Sequence, residues 1–344
     1  MSINMFNTRT MLRALLQHFT PKTFLMKTFF SNVETFDTES VDIDSAEAKR
    51  RVAPFVRPRK GGKTVDRGGY STKSYKPPLV GPQCVTTAED LLKRTPGETI
   101  YGGEKTPEQR AAEQLGKDMA SLEDMITRRE EVMAAQVLFD GKIVLYDPSE
   151  GIDDEMDFGL PSVALSGGSL WSATTSDPLA DFKAWASLMR KSSGYSPTMA
   201  ILGSDAASVL LENEKLLKFM DMRRVDMGEI KPAEMPNGTS YLGRLLAPGV
   251  SLDLLCYEEW AYDEATGTNK EIVPAKKILL ANPASRYDML YGAVSNTKIG
   301  VVAARRVPFS WDEPDGSARY VRLSCRPLPV PVEKNASLRC TVLE

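Results

Sequence analysis

Four carboxylates, Asp153, Asp154, Glu155 and Asp157, fall within EGIDDEMDFG (150–159), a density that could hold a divalent cation. The spacing lacks the turn glycine and terminal glutamate of a calcium loop, so the run reads as a solvated acidic loop. Asp157-Phe158-Gly159 is also the tripeptide that holds magnesium in protein kinases. No G-x-G-x-x-G loop precedes it, however, and no histidine is present for an H-R-D motif. LSGGS (165–169) does not fit G-x-S-x-G, and there is no Walker A sequence. Ser204-Asp205, after TMAILG, is the one other place for an unrecognised nucleophile, and Ser204 is more simply a helix N-cap. The single histidine, His18, lies in an amphipathic N-terminal segment, which removes most hydrolytic and metal chemistry. Four cysteines (Cys84, Cys256, Cys325, Cys340) form no C-x-x-C, which fits a reducing compartment and argues against zinc. No catalytic, cofactor-binding or metal constellation emerges.

The anomaly is charge. From Arg50 to Lys76 there are nine Lys/Arg against one acid, Asp66, a net of +8. The whole 344-residue chain is −3, so the remainder carries −11. The basic stretch has two Gly-Gly pairs, a Pro-Pro and little to fill a core. Three readings compete: a nucleic-acid-binding arm, a disordered linker, and half of a contact between copies. An anionic body repels DNA over about a Debye length, whereas self-association uses both signs at once. We adopt the third, with Arg57, Arg59, Lys60, Lys63, Arg67, Lys73 and Lys76 as contact residues.

The elements that must carry this limb can be read from periodicity. Thr106-Pro107-Glu108-Gln109 supplies a cap, a first-turn proline and a Gln three residues after the cap. Leu115, Met119, Leu122, Ile126 and Met133 then recur at spacings of three, four or seven. Gly141 ends the helix, predicted over 107–139, a rod of about 50 Å at ~1.5 Å per residue. Met119, Met125 and Met133 read as core filler. Asp177-Pro178 opens a second helix with Leu179, Phe182, Trp185 and Met189, ended by Arg190, Lys191 and Gly194. TMAILG (198–203) reads as a strand, and a helix capped by Ser204 runs through Val209–Leu211 towards Met222.

VETFDTESVDID (33–44) and KIVLYDP (142–148) read as strands, and VTTAEDLLKR (85–94) as a strand or short helix. SLDLLCYEEWAY (251–262) and EIVPAKKILLAN (271–282) flank the turn-rich DEATGTNK. YVRLSC (320–325) and SLRCTV (337–342) alternate apolar with polar. PLPVPV between them lacks ladder donors and belongs at an edge or bend. The class is α+β with one α/β unit in the middle. No apolar run reaches the ~18 residues of a membrane span. Before Glu34 there are four cations (Arg9, Arg13, Lys22, Lys27) and no acid. That suits a presequence or a basic docking arm, and we take it as an arm.

This order of features resembles the phage major capsid proteins of the Hong Kong 97 fold, and particular strings resemble the lambda-type major capsid protein E family. These strings are FLMKTFFSNVETFDTESV (24–41), DRGG (66–69), GGSLWS before the DP-led helix (167–178), KFMDMRR (218–224) and PFSWDEPDGSARYVRLSCRPLP (308–329). The resemblance is colinear over nearly the whole chain. It implies an N-arm (1–29), a P-domain strand (30–48) and an extended E-loop (49–84). It further implies a P-domain with a spine helix (85–176, helix about 107–139), an A-domain (177–296) and P-domain return strands (297–344). It implies a non-enzymatic shell protein that forms hexamers and pentamers of an icosahedral head around double-stranded DNA of a tailed bacteriophage. The implied partners are further copies of itself, a separate scaffolding protein, a portal, a decoration or cement protein and packaged DNA bound non-specifically, with no membrane. The implied place is the virion, assembled in the host cytoplasm. Some relatives crosslink subunits through a Lys–Asn isopeptide bond, for which Lys60 or Lys63 with Asn282 or Asn335 would be the nearest candidates, but the lambda-type branch does without this bond and no matching pocket is recognised. The rival reading is a nucleic-acid-binding protein using residues 50–76.

Overall fold

The structure, a computed structural model, describes residues 11, 23–46, 52–57, 61–64, 70–87, 89–90, 107–147, 151–173, 175–213, 216, 220–221, 238–263, 266–297, 300–314 and 317–344. A short helix α1 (Leu25–Thr28) leads into β1 (Asn32–Thr35). β2 (Val41–Ala46) and β3 (Tyr70–Tyr75) form an antiparallel ribbon, followed by β4 (Gln83–Thr87). The long helix α2 (Pro107–Ala135) closes in a π-helical turn, Gln136–Asp140. After it come the hairpin β5 (Lys142–Asp147) and β6 (Ile152–Asp157), then β7 (Ser162–Ala164). The middle of the chain gives α3 (Pro178–Ser192), β8 (Met199–Leu202), α4 (Ser204–Leu211), β9 (Met220–Asp221), β10 (Thr239–Ala247) and β11 (Val250–Tyr257). β12 (Trp260–Asp263) and β13 (Thr268–Glu271) make a separate hairpin. β14 (Lys277–Ala281), β15 (Tyr287–Tyr291), β16 (Val294–Asn296) and β17 (Gly300–Val302) follow. The chain ends with β18 (Val307–Asp312), β19 (Ala318–Ser324), β20 (Pro327–Pro331) and β21 (Ser337–Thr341).

Seven strands form the main sheet in the order β7-β21-β14-β8-β11-β10-β9. β8 and β11 pair in parallel, and α3 and α4 pack beside them over Phe182, Trp185, Ala206 and Leu210. The C-terminal β21 pairs with β14 inside this sheet. A three-stranded sheet, β1-β15-β20, puts the proline-rich β20 at an edge, where its missing donors do no harm. The third layer, β18-β19-β4, lays Val321 and Leu323 onto Leu115, Met119, Leu122 and Ile126 of α2, with Met11 in the same cluster.

The apolar face read from spacing on α2 is the buried face, with one exception: Met125 is 43% exposed. At about 100° per residue it points roughly 120° away from Met119 and about 80° away from Met133, beyond the edge of the buried arc. The helix ends at Gly141 as expected, with φ +72° and the Gly141 N–H bonded to the Val137 carbonyl. Three local expectations are corrected. VETFDTESVDID is two strands, because residues 37–40 bend, with the Thr38 hydroxyl donating to the Ser40 carbonyl. The acidic run is not a loop: its residues 152–157 pair along their length with β5, and an exposed hairpin face accepts charge in place of apolar alternation. Ser204 is the first residue of α4 and not its cap. Gly203 holds that position, because a Cβ there would fall 2.3 Å from the Pro274 carbonyl oxygen. The helix stops at Leu211, and Met220 and Asp221 are already strand. Most of KFMDMRR, with Met222, lies outside the described residues, as do His18 and the cap Thr106.

Candidate functional site

The limb is a two-stranded ribbon in register from Val41↔Tyr75 to Ala46↔Tyr70. Its base is fastened to the body at one end. The Tyr75 ring stacks on Phe158 (centroids 4.9 Å apart), and its hydroxyl donates to the Asp157 carbonyl at 3.1 Å. Burial, then the Asp157 carboxylate, push that phenol above its ordinary pKa. The Lys73 ammonium reaches the same carbonyl at 3.5 Å, and Lys76 pairs with Glu39 at 2.5 Å. Two of the seven predicted contact cations are thus engaged by their own chain. Arg57 and Lys63 are exposed, and Arg59, Lys60 and Arg67 lie outside the described residues. Composition drew attention to cations and away from the apolar groups among them. Val52 is 92% exposed and Phe55 104%. The signal was present in the sequence, as V-A-P-F-V inside a basic segment.

A second feature went unread. The arc of α2 next to its apolar face carries Glu123, Thr127, Glu130 and Glu131, all buried. At about 100° per residue, the apolar and polar positions together cover half the helix circumference. Glu131 accepts from the backbone N–H groups of Phe24 (2.9 Å), Leu25 (2.7 Å) and Met26 (3.0 Å), and from the Tyr257 hydroxyl (3.1 Å). Three of these donors are the free N–H groups at the start of α1, which no residue within α1 satisfies. Burial raises the Glu131 carboxyl above its usual range, against the pull of the four donors.

Glu130 and Glu123 hold Arg306. Its guanidinium donates to both Glu130 oxygens at 2.7 and 3.0 Å and to Glu123 at 2.7 Å. The Tyr291 hydroxyl also donates to Glu130 at 2.9 Å. Burial lowers the pKa of Arg306, and Glu130, followed by Cys325 and Glu123, outweighs that and raises it. These bonds fix three things to one helix: the segment before β1, the end of β15 and the start of β18. Carboxylates at positions 123, 130 and 131 look like a solvated helix face until their partners, more than 100 residues away, are brought to them.

The chemical candidates do not assemble. Asp153, Glu155 and Asp157 share one face of β6 while Asp154 points to the other, and Glu155 pairs with Lys142 at 2.8 Å. Among the described residues no group of three ligating side chains could hold a metal ion. The Ser204 carbonyl accepts from the Ser208 hydroxyl within α4, an ordinary helical contact. The Asn282 side chain is occupied in a turn, donating to the Ser196 carbonyl and accepting from the Ala284 N–H.

A long helix bearing a three-stranded layer, a seven-stranded α/β sheet and a projecting ribbon together define the Hong Kong 97-type capsid fold. A crystal structure of a prophage capsid protein from Escherichia coli CFT073 has the same fold, with TM-score 0.70 at 21% identity over 98% of this chain and 99% of that one. The capsid of an empty GTA particle follows at TM-score 0.51 and 11% identity, over 94% of this chain and 91% of that one. The chain belongs to the phage major capsid protein E family, whose model matches residues 7–342. It is 25% identical over 324 residues to the major capsid protein of Enterobacteria phage P21 and to the P21 prophage-derived major head protein of Escherichia coli O6:H1, covering 90% of each chain. It is therefore a major capsid protein of a phage head, a structural component of the virion built from many copies, and not an enzyme.

Proposed function

We propose that copies of this chain join as hexamers and pentamers into an icosahedral head that encloses double-stranded DNA. Assembly takes place in the host cytoplasm with a separate scaffolding protein, a portal and a decoration protein. In this reading residues 1–29 are the N-arm, 30–48 a P-domain strand, 49–84 the E-loop and 177–296 the A-domain. Residues 85–176 and 297–344 supply the P-domain, with β21 returning to the main sheet.

The observation that carries the proposal is the limb. Phe55 and Val52 stand almost fully in water beyond a ribbon whose base is fastened to the body, more exposed than any other large apolar side chain among the described residues. Burying two such side chains is worth about 1.5–3 kcal/mol each. The exposed cations around them, Arg57 and Lys63 in particular, contribute only ~0–1 kcal/mol apiece and set register more than affinity. Apolar contact drives the association, and charge orients it.

Expression of the chain with its scaffold, followed by sedimentation and electron microscopy, tests the proposal. Closed shells are expected. A subunit that stays monodisperse and monomeric at every concentration refutes it.

A further inference from the structure

Residues Glu258 to Glu271 hold five acids and one lysine, a net of −4. They form the β12–β13 hairpin, paired from Trp260↔Glu271 to Asp263↔Thr268. Strand alternation gives the hairpin two faces. The inner face is a mount. Ala261 packs on the apolar cluster that holds Tyr257, Ile272 and Val273, and Asp263 meets Lys270 at 2.9 Å and Arg129 of α2 at 3.9 Å. The outer face presents Trp260, 51% exposed, and Tyr262, 64% exposed, about 7 Å apart by strand rise. Glu271 and Asn269 stand opposite them on β13, and exposed Glu258 lies two residues before Trp260. The hairpin's lysine serves Asp263, and among the described residues no cation meets Glu258 or Glu271.

We propose that this outer face docks a basic segment, rich in arginine or lysine, of a partner protein that is not a further copy of this chain. Two aromatic rings flanked by two uncompensated carboxylates are the chemistry that recognises a guanidinium or ammonium group. The ring faces attract the cation within about 6 Å of their centres, and the carboxylates accept its N–H groups. A neutral or anionic partner would instead strip water from Glu258 and Glu271 without supplying a counter-charge. Apolar surface rimmed by charge is also the pattern of a docking patch. The mount matters too: with Ala261 packed and Asp263 held from two sides, the strand carrying both rings is ordered before a partner arrives, which lowers the cost of binding. The limb of a second copy is a poorer match. Its tip leads with exposed Val52 and Phe55, and Lys73 and Lys76 are engaged by their own chain.

Fluorescence anisotropy of a labelled hexa-arginine peptide, titrated with the full-length chain at fixed ionic strength, tests the proposal. The expected result is saturable binding, weakened at least tenfold by Trp260→Ser with Tyr262→Ser and at least tenfold by Glu258→Gln with Glu271→Gln. Trp260, Tyr262 and Glu258 are exposed, so thermal melts of these variants should match the parent. A control pair on β6, Asp153→Asn with Asp154→Asn, removes as many charges from another exposed strand and should leave the affinity unchanged. Equal weakening by the control pair overturns the site and leaves only attraction to an anionic body, and so does the absence of saturable binding. A labelled peptide of residues 50–63 of this chain is the competing occupant. If it binds tenfold tighter than hexa-arginine through the same residues, the separate partner is refuted and the face becomes a contact between copies.

Discussion

Glu131→Gln isolates the bond set that ties the start of the chain to the long helix. The replacement amide can keep the oxygen that serves Phe24, Leu25 and Tyr257, because all three donate to Oε1. Its NH2 group then occupies the place of Oε2 and faces the Met26 N–H at 3.0 Å, donor against donor. One bond to a charged acceptor is lost and one buried N–H is left without a partner, a cost of about 1–3 kcal/mol. The three retained bonds weaken because their acceptor is now neutral, and relief of the buried charge offsets part of that. The expected net cost is about 2–3 kcal/mol, or roughly 30- to 150-fold in an opening equilibrium. Native-state hydrogen exchange reads it directly: the amides of Phe24, Leu25 and Met26 should lose protection by that factor, while amides in β8 and β14 keep theirs. Unchanged exchange at residues 24–26 would refute the reasoning.

The same residue makes a pH prediction. Its carboxyl is raised above the ordinary 4.5, chiefly by burial, so the folded state takes up the proton before the unfolded state does. The stability difference between the parent chain and Glu131→Gln should therefore grow as pH falls towards 4.5, and urea midpoints across pH 7 to 4.5 check it. Arg306→Met leaves buried Glu123 without its cation and Glu130 with only the Tyr291 hydroxyl and Arg305 at 3.8 Å, and should cost about 3–5 kcal/mol; adding Glu123→Gln and Glu130→Gln should recover most of the urea midpoint. Gly203→Ala drives a Cβ into the Pro274 and Ala275 carbonyls, where backbone on both sides cannot yield, and soluble expression should fall sharply. Lys76→Ala removes an ion pair between two largely exposed side chains and should leave the midpoint unchanged within error.

Much of the fold was legible because local physics dictated it. The start and end of the long helix followed from Pro107 and Gly141, and its core face from the three- and four-residue spacing of Leu115 to Met133. Asp177, whose side chain does accept from the Ala180 N–H, marked α3 without ambiguity. A proline-rich strand had to lie at an edge, and it does. Each of these depends on residues within a few positions of one another. The family, too, was visible in colinear strings.

The remaining features needed partners that only the fold supplies. An Asp-rich run became a strand because Lys142–Asp147 lay alongside it. The two carboxylates Glu130 and Glu131, adjacent in sequence, serve different ends of the molecule: one holds Arg306 and Tyr291, the other α1 and Tyr257. Residue type alone cannot separate a solvated glutamate from one buried against donors more than 100 residues distant, because the two differ only in what folding brings near. The limb shows the same division. Its charge was countable in the chain and pointed to a contact between copies. That Lys73 and Lys76 are held at home, and that Phe55 is presented to water, was decided by where the ribbon is fastened.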